Sequence, residues 1–192
     1  TPSVLLRNIL ENPSWYTAYT PYQPEISQGR LEALLNFQTM ISEITSLPIA
    51  NASMLDESTA AAEAMTMSFK LSNNKNTVIL DKYLHPQTIN VIKTRAEPLG
   101  INLIISENPE KEKLDNCSCV IFQYPNTEGK IKNLDDDIKI IQNAGSMVIL
   151  VADLLSLALI KSPGEMGADI AVGSTQRFGV PMAFGGPHAG YF

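Results

Sequence analysis

Six short apolar runs, separated by helical segments, constrain the fold of this chain more than any other feature. The runs are Thr77–Leu80, Ile101–Ile105, Cys119–Gln123, Met147–Ala152, Asp169–Val172 and Gly190–Phe192. Between them lie helix candidates at Gln87–Leu99 and Leu134–Ala144, and a shorter one near Leu154–Leu159. The runs are continuously apolar rather than alternating, as strands are when both faces are covered. Strands that alternate with helices predict a mostly parallel sheet in a three-layer α/β/α sandwich. Ahead of this core, apolar residues recur at helical spacing from Gly29 to Ser46. Pro48–Asn51 is a short strand candidate, and Ala60–Leu71 is an alanine-rich helix. The acids and hydroxyls before that helix (Asp56, Glu57, Ser58, Thr59) fit a capped N-terminus. Residues 1–27 read as an extended arm, rich in proline and tyrosine, and residues 28–192 as one domain.

A chain of 192 residues can bury one substantial core. Its net charge is −6 and its only arginines are Arg7, Arg30, Arg95 and Arg177. Nucleic-acid binding needs clustered cations and is not expected. The acidic run Asp135-Asp136-Asp137 suits a solvated helix start, where carboxylates favour the dipole. No apolar run approaches the ~18 residues of a membrane span. The opening Thr1-Pro2-Ser3 lacks the basic start and apolar stretch of a signal peptide, so a cytoplasmic location is expected. The first residue is not Met and the last, Phe192, falls within a strand candidate, so both ends read as cuts in a longer protein. Cys117 and Cys119 are two apart, a spacing that places both on one face of a strand, in the core. Two Cys and two distant His are too few for a zinc site, and no metal is expected.

In parallel sheets, ligands sit beyond the carboxyl ends of the strands. That singles out Asp81–Pro86, Tyr124–Gly129, Asp153–Leu155 and Ser174–Arg177. Asp153 can cap the turn that follows it, or hold the protonated nitrogen of a pyridine ring. Arg177 offers a planar fork for a carboxylate or phosphate, or makes a structural ion pair. Glycines 179, 185, 186 and 190 form either a ligand loop or a reversal into an antiparallel last strand. His188, within them, is a candidate catalyst or a structural hydrogen-bonder. Tyr16, Tyr19 and Tyr22 either line a pocket shared with a neighbouring chain or pack the arm down.

Three stretches carry a specific resemblance. They are residues 17–39, opening Thr17-Ala-Tyr-Thr-Pro-Tyr-Gln-Pro-Glu, residues 49–65, opening Ile49-Ala-Asn-Ala-Ser-Met-Leu-Asp-Glu-Ser-Thr, and Gly173-Ser-Thr-Gln-Arg-Phe-Gly-Val-Pro-Met-Ala-Phe-Gly-Gly-Pro-His-Ala. Together they resemble the P-protein family of the glycine cleavage system, in the N-terminal half of its long form or the first subunit of its split form. The resemblance implies the large domain of the pyridoxal-phosphate (PLP)-dependent transferase fold. It implies a whole protein that decarboxylates glycine with PLP and passes the aminomethyl group to the lipoyl arm of the H-protein. The partners so implied are the C-terminal half, or second subunit, and lipoylated H-protein. PLP would be bound by that other half. Here Arg177 stands where enzymes on this scaffold carry the Schiff-base lysine, and arginine stays protonated. Asp56 and Glu57 stand where related folds cradle the phosphate, and would repel it. The candidate contributors to a shared active site are therefore Tyr19, Tyr22, Arg177 and His188, with no cofactor ligand in this chain. A purely structural half, scaffolding its partner and the docking of H-protein, is the alternative.

Overall fold

The computed structural model describes residues 2–15, 28–73, 75–185 and 188–192. Six α-helical elements occur among them: α1 (Ser3–Leu5), α2 (Gln28–Thr45), α3 (Glu57–Leu71), α4 (Pro86–Ala96), α5 (Asp135–Asn143) and α6 (Pro163–Met166). The strands are β1 (Thr77–Asp81), β2 (Asn102–Ser106), β3 (Cys117–Tyr124), β4 (Met147–Ala152), β5 (Ile170–Ser174) and β6 (Gly190–Tyr191). They form one sheet in the order β2-β1-β3-β4-β5-β6. The first five are parallel, and β6 pairs antiparallel with β5. The expected sandwich with a reversed last strand is thus the observed one.

Both faces of the sheet are covered, which is why its strands carry unbroken apolar runs. On one face Val78, Leu80, Ile121, Ile149, Val151 and Val172 pack under α3 and α4. On the other, Ile79, Val120, Phe122, Val148 and Leu150 pack against Ile138 and Ile141 of α5. Helix α3 meets the sheet through Ala60, Ala61 and Ala64, all fully buried. Side chains this small let its backbone lie close over β3, β4 and β5. Asp56 caps α3, accepting from the Thr59 amide at 2.7 Å. The helix therefore begins three residues before the Ala60 expected from its alanines. The three acids that open α5 lie in its first turn, as expected. Not all are simply solvated, since Lys161 binds Asp135 at 2.8 Å and Lys132 binds Asp137 at 2.6 Å.

Four local expectations need correction or completion. Cys117 and Cys119 are both buried, but they enter opposite cores. A bulge between Thr77 and Val78 breaks the β1–β3 register, so Cys117 and Cys119 face adjacent residues of β1. No strand forms at Pro48–Asn51. Pro48 has no amide to donate to a ladder, and Asn51 N–H instead bonds Phe192 O at 2.8 Å. The helix sought near Leu154–Leu159 is a single 3-10 turn, Ser156–Ala158. One-turn helix α6 was not anticipated, although Ser162 and Glu165 carry the Ser-x-x-Glu spacing and form the capping box. No described residue from Ser3 to Leu10 is buried, and residues 16–27 lie outside the described residues. Among the described residues no helix is long and apolar enough to cross a membrane.

Candidate functional site

A cleft of about 400 Å³ opens beyond the carboxyl ends of β1, β3, β4 and β5, at the place sheet topology predicts. Its walls come from the loops after those strands and from the first turn of α3. Arg177 lies in it. Its Nε donates to Asp153 Oδ1 at 3.0 Å and its Nη2 to Oδ2 at 3.2 Å. Asp153 Oδ1 also accepts from the Leu155 amide at 3.3 Å, capping the turn after β4. Both cautious readings of these residues therefore hold together: Asp153 is a turn cap, and Arg177 makes an ion pair. The fork-to-fork geometry uses both carboxylate oxygens and neutralises both charges.

The turn that presents Arg177 is fixed from several sides. Thr175 donates through its amide and its hydroxyl to Ala189 O, each at 2.8 Å. The Gln176 amide donates to Ser174 Oγ at 3.2 Å, and its side chain to Val180 O at 2.8 Å. Beneath the cleft, the fully buried Tyr191 donates to Ala152 O at 2.7 Å. Burial drives that phenol well above its ordinary pKa, so it stays a neutral donor.

The opposite wall is acidic. Burial pushes the Glu57 carboxyl up to about 7. Hydrogen bonding from Gln123 draws it part of the way back, while Asp153 and Asp56 push it further up. Gln123 is 5% exposed and its Oε1 has no hydrogen-bond partner. His85 completes this side, with Nδ1 2.7 Å from Thr127 Oγ1 and its pKa lowered by burial. The amide end of α3, which would ordinarily attract an anion, is already occupied by the Asp56 carboxylate.

No lysine is among the described residues that line the cleft. Lys82 pairs with Glu107 and Lys161 with Asp135, both outside it. Of the sequence candidates, Arg177 is brought into the cleft. His188 is exposed and is not among the lining residues described. Tyr19 and Tyr22 fall outside the described residues. His85 is marked only as part of the Asp81–Pro86 loop and Glu57 only as a residue that would repel a phosphate; Gln123 is not singled out as a site residue. Gln123 had a visible signal, a lone amide near the end of an otherwise apolar run.

The fold and the placement of the cleft define a class, the large domain of PLP-dependent transferase-fold proteins. The cystathionine gamma-lyase of Lactobacillus plantarum, crystallised with L-serine, superposes with a TM-score of 0.65 at 14% identity. That match covers 80% of this chain and 40% of that one, and it speaks for the fold alone. The chain belongs to the glycine cleavage system P-protein family, whose pattern it matches over residues 1–192. A crystal structure of glycine decarboxylase (P-protein) in inhibitor-bound form superposes over the whole chain and 44% of its own, with a TM-score of 0.91 and 39% identity. Glycine dehydrogenase (decarboxylating) of Cereibacter sphaeroides is 57% identical over 192 residues, and that of Pelagibacter ubique 57% over 193. The chain spans 20% of the length of these curated relatives.

Proposed function

We propose that this chain is part of a cytoplasmic glycine dehydrogenase (decarboxylating), from the half that does not hold PLP. The whole protein decarboxylates glycine and hands the aminomethyl group to the lipoyl group of H-protein. The other half, or second subunit, binds PLP, which supplies the electron sink for decarboxylation. This half contributes the facing wall of the active-site interface, with residues 1–27 as an arm and 28–192 as the large domain.

The observation that carries this reading is the Asp153–Arg177 pair. The carboxylate suited to a pyridine nitrogen is occupied by the guanidinium that stands in place of a lysine. Asp56 takes the helix end where a phosphate would bind. The residues present therefore do not fit PLP. Leu155, Phe178 and Met182, at and beside the cleft mouth, are exposed and favour a covering partner surface.

Mixed with PLP, this chain is expected to give no imine absorbance, and borohydride is expected to trap no pyridoxyl-lysine. A trapped peptide containing Lys82 or Lys161 would overturn the missing-anchor reading. In the whole protein, Arg177→Ala leaves Asp153 unpaired at the proposed interface and is expected to slow glycine decarboxylation severalfold. Unchanged turnover in that variant would remove Arg177 from the interface and leave a scaffold.

A further inference from the structure

We propose that a second groove, beside the cleft, receives a basic side chain carried on an apolar segment of the half that lies outside this chain. This deepens the reading above, and rests on it, by naming what the facing surface presents.

The groove holds about 440 Å³ and lies between the last turns of α2, the 3-10 turn Ser156–Ala158, α6 and the turn bearing Arg177. Arg177 lines both the groove and the cleft, so a surface that covers one continues over the other. The floor is apolar, with Leu154 buried and Ile44 and Leu157 half-buried beside it. The rim is apolar and open to solvent, since Leu155 is 60% exposed and Phe178 40%. Apolar surface of this kind favours a covering partner.

The charge of the walls selects the partner. Two carboxylates stand there, Glu43 on α2 and Glu165 on α6. Glu43 is exposed and pairs with no described residue. Glu165 Oε2 accepts from the Ser162 amide and hydroxyl, each at 2.9 Å, which leaves Oε1 for a further donor. Those bonds, the amide first, hold the Glu165 carboxyl below its ordinary pKa, so it is charged at neutral pH. The nearby cations are engaged elsewhere. Arg177 is matched by Asp153 in a two-bond fork, and Lys161 donates to both oxygens of Asp135. Two acids thus remain uncompensated around an apolar floor. A lysine or arginine answers both features, its stem lying on the leucines while its head stays with the carboxylates. An acidic segment would be repelled, and a purely apolar one would strip water from the acids with nothing in return. The chain covers 44% of the P-protein structure it matches and 20% of its curated relatives, so most of the length that can supply such a segment lies outside it.

Hydrogen exchange of the whole protein, read by mass spectrometry, tests this, with the 192-residue chain alone as reference. Residues 154–160 report the groove and residues 125–130 the cleft. Both segments are expected to exchange at least about tenfold more slowly in the whole protein than in the chain alone. Glu43→Gln combined with Glu165→Gln is expected to return residues 154–160 severalfold toward the rate of the chain alone, while residues 125–130 keep their protection. About 1 M salt should act on the wild type in the same sense. The variants should fold as the wild type does, because Glu43 is exposed and glutamine also serves in a capping box. Protection of both segments that the two substitutions leave unchanged would overturn the proposal and leave the interface reading standing. So would a groove that stays unprotected while the cleft is covered. If neither segment is protected, the interface reading fails and this proposal with it.

Discussion

Glu57→Gln is expected to stabilise this protein above neutral pH, by about 2–3 kcal/mol. The carboxyl titrates near 7 in the fold and near its ordinary 4.5 in the unfolded chain. Below pH 4.5 both states hold the proton, and the group costs nothing. As pH rises from 4.5 to 7 the unfolded chain releases the proton while the folded chain retains it, so stability falls. Above 7 the folded protein carries a buried charge, and the full penalty of about 1.4 kcal/mol per pKa unit applies. The helix dipole at the start of α3 returns less than about 1 kcal/mol of this. Glutamine keeps the shape and removes the charge. Urea denaturation at several pH values would show the two curves meeting near pH 4.5 and separating steadily up to about pH 8. The gap corresponds to a rise in melting temperature of roughly 4–12 °C at this chain length. A variant no more stable than wild type near pH 8 would show that Glu57 is better solvated than its surroundings imply. A residue kept at such a cost to stability belongs with sites retained for function.

The sheet could be read from sequence because burial on both faces leaves a direct mark, runs such as Val148-Ile-Leu-Val-Ala with no polar interruption. Strand-end loops then located the cleft through topology alone. What could not be read depends on register and on partners distant in sequence. The bulge that sends Cys117 and Cys119 to opposite faces is a property of the β1–β3 pairing, and neither strand announces it. Asp153 and Arg177 lie 24 positions apart, and their pairing needs β4 and β5 to be neighbours in parallel register. Each residue carries two readings in the sequence, and only the folded chain shows that the ion pair and the turn cap both form. Gln123 was absorbed into its strand because an amide near the end of an apolar run looks like a boundary. Its significance lies in an oxygen without a partner, which no sequence pattern records.

Gly173→Ala should cost about 2–3 kcal/mol, although it adds a single methyl group. Gly173 sits in β5, where the sheet turns from parallel to antiparallel. It pairs with Tyr191 on one side, while the Ala152 carbonyl approaches from the other. A Cβ at this position would overlap the Ala152 carbonyl oxygen and come within 2.5 Å of Tyr191 Cε1. Neither neighbour can yield cheaply. The carbonyl is backbone of a central strand. The tyrosine ring is fully buried, and its hydroxyl is bonded to that same carbonyl at 2.7 Å. Relief requires β4, β5 and β6 to separate, and overpacking of this kind typically costs about 1–3 kcal/mol, here toward the upper end. The expected drop in melting temperature is roughly 4–12 °C for a chain of this size. Tyr191→Phe separates the causes. It removes the bond to Ala152 O but opens no space for a Cβ, so it should not rescue Gly173→Ala. Tyr191→Ala in the same background vacates the ring volume and should recover part of the clash while adding a cavity cost of its own. Additive losses in the Gly173→Ala, Tyr191→Ala pair would refute the steric account, because residues that collide must couple. The same contact ties the fold to the cleft. The turn bearing Arg177 starts one residue beyond β5, so a shift of β5 away from Ala152 also moves the guanidinium away from Asp153.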